Sequence, residues 1–354
     1  MNAQFTQHNL IFKQASGTSR GVLTTKETYL LEISENDKKG IGECAIFRGL
    51  SYDDVPDYEE KLTWLCENIH SDFEVLKKEL LHYPSIIFGL EQALLNLQHG
   101  EDLYFPSDFT DGKDSIKING LIWMGNADFM QSQIEEKLAK GFDCIKLKIG
   151  VDWKSEKEII KKLREKFPKE QLELRVDANG AFSYEEATIV LQELADLGIH
   201  SIEQPIKKSQ VKTKKSQKTD EINSTDYCAP WNEMAKLCAE TPTPIALDEE
   251  LIGIIDFEEK KKLLETIKPQ YIILKPALVG GFSGSDEWIV LAESLGIDWW
   301  ITSALESNIG LNAICQYTYT KKNPLPQGLG TGALFTNNFE THLQLEGDQM
   351  WHKK

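Results

Sequence analysis

Short apolar runs recur along the chain from about residue 115, each followed by a polar turn and an amphipathic stretch of helical period. The runs are SIKINGLIWM (115–124), FDCIKLKI (142–149), LELRVDA (172–178), HSIEQP (200–205), PIALDE (244–249), QYIILKP (270–276) and WWITSAL (299–305). Between them lie helices such as SYEEATIVLQELADLG (183–198), which opens on a capping box, Ser183 with Glu186, and stops at Gly198. Strand and helix alternating at this length make the strands parallel. Seven or eight of them predict an α/β fold, a (β/α) barrel, with an open doubly wound sheet as the competing arrangement.

The first hundred residues lack this rhythm. TYLLEISENDKKGIGECAIF (28–47) predicts two strands around a turn at Asn36 to Gly40, and helices follow near 53–70 and 84–99. The chain therefore divides into an α+β domain over 1–110, completed by a tail at about 331–354, and a barrel domain over 111–330. One segment interrupts the barrel. KKSQVKTKKSQKTDEINSTD (207–226) carries six lysines against three acids and almost nothing apolar, which predicts a surface insertion; a basic arm for a partner is the alternative.

Charge narrows the partners. The formal net charge of −17 argues against a nucleic-acid or anionic-membrane surface, and a small molecule is the expected ligand. The opening MNAQFTQHNLIFKQ has no basic stretch ahead of a long apolar one, and no later run approaches the ~20 apolar residues of a membrane span, so a cytoplasmic location is expected. Cys44, Cys66, Cys144, Cys228, Cys238 and Cys315 form no CxxC pair and read as reduced, mostly core residues.

The strand ends carry the chemistry. In DCIKLKIG (143–150), Ile145, Leu147 and Ile149 share one face of a strand, while Lys146 and Lys148 share the other. Two ammonium groups pointing one way demand a counter-charge. The later runs supply it by ending in Asp177, Glu203, Asp248 and Lys275, at the carboxyl ends of the strands where a barrel keeps its active site. Lys148 and Asp177 are 29 residues apart, Asp177 and Glu203 26, and Asp248 and Lys275 27, about one strand–helix unit each. The longer interval from Glu203 to Asp248 is accounted for by the lysine-rich insertion. Three carboxylates from consecutive strands, with no His or Cys beside them, form an all-oxygen site for a hard divalent cation, for which Mg²⁺ is the natural candidate and Mn²⁺ a possible substitute. Acids at strand ends can also merely cap helix N-termini; three in register make that reading weaker.

With a metal between them, Lys148 and Lys275 could address the two faces of a bound carboxylate. A lysine is a base only when neutral, and the cations Lys146 and Mg²⁺ nearby disfavour its charged form. The proton at risk lies α to a carboxylate, where removal leaves a dianionic enediolate that needs a metal and an ammonium.

Taken together, "KLKIG", "RVDANGAFS", "SIEQP", "IALDEEL", "LKPALVGG" and "SALESNIG" resemble the enolase superfamily, in the lysine–lysine subgroup typified by muconate lactonising enzyme. A Lys base with Mg²⁺ is an established pattern of that superfamily rather than a deduction from this sequence. The resemblance implies an enolase-type modified (β/α) barrel with an α+β capping domain. Lys148 would be the base, Lys275 the cation on the enediolate, Lys146 a further catalytic lysine, Asp177, Glu203 and Asp248 the metal ligands, and Asn179 and Glu249 their supporting neighbours.

"ITSALESNIGLNAI" (301–314) and "GLGTGALF" (328–335) point further, to the dehydratase branch that serves menaquinone synthesis. By that resemblance Ser303 and the turn at Gly328 to Gly330 meet the succinyl end of a hydroxycyclohexadiene carboxylate. Arg20, within 18–25, and the loop 47–52 of the capping domain would set specificity; Arg20 could equally be a solvated surface charge. Dipeptide-epimerising relatives carry a D-x-D near the last strand. Gly328, Gly330 and Gly332 stand there instead, which speaks against an α-amino substrate. Two departures from the pattern are DEE at 248–250 and the long insertion. An N-acylamino-acid racemase or another lysine–lysine enzyme remains the alternative, and a barrel that only binds an anion is a third.

Overall fold

The computed structural model describes residues 1–354 apart from 19–20, 124 and 210–230. At the amino end, β1 (Asn2–Thr18), β2 (Gly21–Glu35) and β3 (Lys38–Cys44) form an antiparallel sheet in that order, followed by α1 (Tyr58–Asn68), α2 (Phe73–Glu79) and α3 (Pro84–His99). The sequence pattern does not predict β1. Its polar stretch hides the period, and Leu10 and Phe12 are buried in a cluster with Leu305 and Phe335, about three hundred residues away.

Asn36 and Asp37 alone join β2 to β3, with Asn36 at φ 54°. The turn is thus shorter than the span Asn36 to Gly40 expected. Gly40 and Gly42 instead belong to β3, where Cβ atoms would lie 2.1 Å from the Ala93 carbonyl and 1.9 Å from that of Gly89. Only glycine lets α3 lie this close to the strand.

The barrel follows as β4 (Ile116–Lys117), β5 (Gly120–Ile122), α4 (Ala127–Ala139), β6 (Cys144–Lys148), α5 (Trp153–Lys166), β7 (Glu173–Asp177), α6 (Tyr184–Asp196), β8 (Ser201–Glu203), α7 (Asn232–Glu240), β9 (Ile245–Leu247), α8 (Phe257–Ile267), β10 (Tyr271–Leu274), α9 (Pro276–Val279), α10 (Gly281–Ser294), β11 (Asp298–Ile301) and α11 (Asn308–Lys321). Strands β5 to β11 pair in parallel in chain order. Residues 327–328 then close the ring, bridging Ile118 on one side and Thr302 on the other. The amide of Asn119 donates to the Gln327 carbonyl at 2.9 Å and that of Gly328 to Ile301 at 2.8 Å. This is a barrel, not an open doubly wound sheet. Inside it the period-two reading of β6 holds: Ile145 and Leu147 are fully buried in the large core cluster, while Lys146 and Lys148 face the interior charges.

The run 115–124 is not one strand, as expected, but two. Ile116 and Lys117 pair outward with a hairpin of β12 (Leu343–Glu346) and β13 (Gln349–His352), and the chain re-enters the ring from Ile118 onward. The tail likewise divides. Leu334 and Asn337 bond to β1 through Lys13 and Ile11, whereas the hairpin sits on β4.

Local signals behave as read. Ser183 and Glu186 form a reciprocal capping box on α6, and Gly198 follows that helix at φ 63°. The five described cysteines are free, four of them buried; Cys228 lies outside the described residues. No helix among the described residues is long and apolar enough to cross a membrane.

Candidate active site

Five consecutive strands deliver the charged residues to one end of the ring. β6 carries Lys146 and Lys148; Asp177 ends β7, Glu203 ends β8, Asp248 follows β9 and Lys275 follows β10. Lys146, Lys148, Asp177, Glu203 and Asp248 are buried and the Lys275 side chain is only 13 % exposed, so the charges must satisfy one another. Lys146 Nζ reaches Glu203 Oε2 at 2.7 Å and Asp177 Oδ2 at 3.6 Å. Lys148 Nζ donates to Asp177 Oδ2 at 2.9 Å and to Asn179 Oδ1 at 2.6 Å. Lys275 bonds to Asp248 and stands 3.7 Å from Glu203 Oε1. Since β6 and β10 are four strands apart in a ring of eight positions, Lys148 and Lys275 approach the carboxylates from opposite sides.

Asn179 and Glu249 lie beside these charges. Asn179, at φ 44°, turns its amide back to Asp177 Oδ1 at 3.0 Å and donates from Nδ2 to Glu249 Oε1, also at 3.0 Å. Gln204 was not anticipated. At φ 42° its side chain crosses to the next strand, accepting from the amides of Asp248 (3.3 Å) and Glu250 (3.2 Å) and donating to Glu250. It fixes the spacing between Glu203 and Asp248. The only sequence signal for it is its place directly after Glu203 in SIEQP.

Electrostatics divide the carboxylates. Burial would raise the Asp177 carboxyl, but Lys148 and Lys146, with Lys275 beyond, hold it well below the usual carboxylate range. Burial pushes Asp248 well up, and the charges of Glu249 and Glu203 add to it against the pull of Lys275. Lys146 and Lys275 both titrate above their ordinary value because neighbouring carboxylates outweigh burial, Glu203 and Asp177 for the first, Asp248 and Glu203 for the second.

A cleft of about 720 Å³, part of it open to solvent, lies over these groups. Lys146, Lys148, Asp177, Asn179 and Lys275 form its charged side, and Ser303, Gly328 and Gly330 its small-residue wall, together with Thr302 and Thr331. Phe47 and Leu50 of the expected capping loop close over it. Arg20 lies outside the described residues, as does most of the 207–226 insertion. Asn119, Leu121 and Trp123 also line the cleft. Their i, i+2, i+4 spacing was available in NGLIWM, but the run reads as core.

Behind the wall, the Ser303 hydroxyl donates to Glu306 at 2.6 Å and accepts from Thr331 at 2.8 Å. The buried Lys26, from β2, shares this region with Glu306 and Glu43. The capping sheet therefore reaches beneath the small-residue wall of the cleft.

A capped barrel with lysines on opposite sides of a strand-end carboxylate floor is the arrangement of the enolase superfamily, in its lysine–lysine form. Residues 130–221 match the family model for the enolase C-terminal domain-like fold, and residues 3–97 match that for the MenC N-terminal domain. An o-succinylbenzoate synthase from Desulfotalea psychrophila is 42 % identical over 98 % of both chains. The crystal structure of MenC from the same organism superposes with a TM-score of 0.84 at 40 % identity, covering 99 % of each chain. An N-succinylamino acid racemase from Thermus thermophilus is 34 % identical over 50 % of this chain and 40 % of its own. The chain belongs to the o-succinylbenzoate synthase family.

Proposed function

We propose that the chain dehydrates 2-succinyl-6-hydroxy-2,4-cyclohexadiene-1-carboxylate to o-succinylbenzoate, a lyase reaction of menaquinone synthesis. The observation that carries the mechanism is the pair Lys148 and Lys275 set across Asp177, Glu203 and Asp248. Lys148 takes the proton α to the ring carboxylate, and Lys275, held charged by Asp248 and Glu203, stands against the enediolate that results. The same proton, returned from Lys148 to the departing hydroxide, leaves as water. The ring gains its third double bond and becomes aromatic, which supplies the driving force.

The carboxylate floor fits a divalent cation. Glu203 Oε1 is a buried oxygen without a hydrogen-bond partner, and Asp177, Glu203, Asp248 and Glu249 outnumber the three lysines by one charge. We assign Asp177, Glu203 and Asp248 as its ligands and Mg²⁺ as the ion, since all donors are hard oxygens. When bound, the ion supplies positive charge for the developing dianion. Asn179 and Glu249 hold the floor in place, Lys146 balances Glu203 and Asp177, and the small wall at Ser303, Gly328 and Gly330 leaves room for the succinyl arm.

Racemisation of an N-acylamino acid is the second reading. It is favoured by the two lysines on opposite faces, one able to remove a proton and the other to return it. An ultraviolet assay with the cyclohexadiene substrate, in Mg²⁺ and then in EDTA, tests the choice. Fast metal-dependent aromatisation is expected; its absence, together with deuterium uptake into N-succinylamino acids, would move the assignment to the racemase.

A further inference from the structure

A second cluster of metal-binding groups lies away from the cleft, where the C-terminal hairpin meets the segment after α3. Asp102 Oδ2 is 2.7 Å from His342 Nδ1 and 3.1 Å from His352 Nε2. Each residue can offer one ligand atom such that all three lie within 4.8 Å of one another. Three segments hold them there. The Asp102 carbonyl accepts from Asn312 and Gln316 of α11 at 2.9 and 2.8 Å, His352 is the last residue of β13, and His342 precedes β12 with its carbonyl bonded to the amide of Lys353.

Hydrogen bonding does not satisfy this group. Both imidazoles address the same oxygen of Asp102, while its Oδ1 is buried without a hydrogen-bond partner. His352 is completely buried, and its other ring nitrogen also lacks one. The Oδ2 to nitrogen distances, 2.7 and 3.1 Å, need lengthen by about 0.6 and 0.2 Å, and the two nitrogens, within 4.8 Å of each other, need to settle at the same spacing, to match the ~3.3 Å ligand separation of a tetrahedral ion with bonds near 2.0–2.1 Å. His342, 44 % exposed in its side chain, leaves a path for the ion and for a water as fourth ligand.

We infer that Asp102, His342 and His352 bind a transition-metal dication of the Zn²⁺ type. Two imidazoles and one carboxylate select such an ion over Mg²⁺, which prefers the all-oxygen floor of the cleft. The site is structural. It joins the segment after the capping helix α3, the barrel helix α11 and the C-terminal hairpin at one point, and no step proposed for the cleft depends on it.

The test uses the full-length protein, stripped with EDTA and returned to excess Mg²⁺. It is titrated with Zn²⁺, and with Co²⁺ read by visible absorption. Wild type is expected to bind one Zn²⁺ that the variants His342→Ala and Asp102→Asn hold more weakly by more than the roughly 10–100-fold that disturbing a ligand's support costs. Tetrahedral Co²⁺ bands should appear in wild type and be absent from His342→Ala, and Zn²⁺ should raise the melting temperature of wild type alone. Turnover should be equal in all three. Zn²⁺ that merely displaced Mg²⁺ from the carboxylate floor would bind the variants as well as wild type. Superimposable titrations, or no Zn²⁺ bound by wild type, would overturn the site and leave the histidines as hydrogen-bond partners of Asp102 only. His342 is exposed enough that its variant should fold, and unchanged circular dichroism would verify that.

Discussion

Glu91 of α3 accepts a hydrogen bond from the backbone amide of Phe282 at 2.5 Å, tying the capping domain to the first turn of the barrel helix α10. The Ser283 amide adds a second contact at 3.2 Å. Burial nonetheless pushes the Glu91 carboxyl up to about 7, because the two amides and Lys77 only partly offset desolvation. A folded-state value above the unfolded one means that the native state holds the extra proton. Its contribution is therefore fully present below about pH 4.5 and is lost as pH rises through 7. Glu91→Gln removes this titration. Between pH 5 and pH 8 the stability of wild type should fall relative to the variant by about 2–3 kcal/mol, read from denaturant midpoints at each pH. Parallel curves would exclude Glu91 as the source.

Lys148→Ala should lower kcat by at least about a thousandfold while the protein stays folded and binds Mg²⁺. Asp177 keeps Lys146 at 3.6 Å, so removal of one lysine does not leave a lone buried charge. Single-turnover absorbance and circular dichroism measure the two halves. Dehydration at more than a few per cent of the wild-type rate would remove Lys148 as the base.

EDTA should abolish turnover and lower stability by no more than the metal's own binding energy, about 2.7 kcal/mol for an ion present at a hundred times its dissociation constant. The lysines explain why. They already neutralise most of the floor, so the barrel does not require the ion to fold. Global unfolding on chelation would contradict this.

Gly328→Ala should destabilise the protein by about 1–3 kcal/mol and depress activity together with it. A Cβ at this position would stand 2.3 Å from Thr302 Oγ1 and 2.6 Å from its Cβ, inside the pair that closes the ring. Gly330 has its nearest neighbour at 3.5 Å, so Gly330→Ala should be tolerated by the fold and register instead in KM. Thermal melts and steady-state kinetics separate the two effects.

Deleting residues 212–225 should leave kcat nearly unchanged. The deletion has to spare Lys208 and Ser209, since the Ser209 amide bonds to the buried Glu250 at 3.2 Å and Lys208 bonds to the Ile252 carbonyl. A large loss of kcat would make the insertion part of the site.

The charged strand ends were legible because each lies in, ends or directly follows a short apolar run and, the insertion apart, the strand–helix unit has nearly constant length. Lys146, Lys148, Asp177, Glu203, Asp248 and Lys275 required no knowledge of distant pairing. Other features depend on partners remote in sequence. The polar β1 is a strand because β2 and the segment near Phe335 cover it, and 327–328 becomes the closing strand because Ile118 and Thr302 leave a gap there. Gly40 read as a turn because nothing local reveals that α3 presses on it. Asp102, His342 and His352 are separated by some 240 residues, and no motif spans such an interval.

The closing pair at 327–328 also orders events in time. Lysines and acids on β6 to β10 are all made before the residues that complete the ring around them, and a chain emerging from the ribosome carries the charges before it has the enclosure. Contacts this distant in sequence are slow to form. Until Gln327 arrives, Lys148 and Asp177 stand in water, where opposite charges attract one another only weakly. The active site is thus assembled late, and an unfinished chain has no means of doing its chemistry.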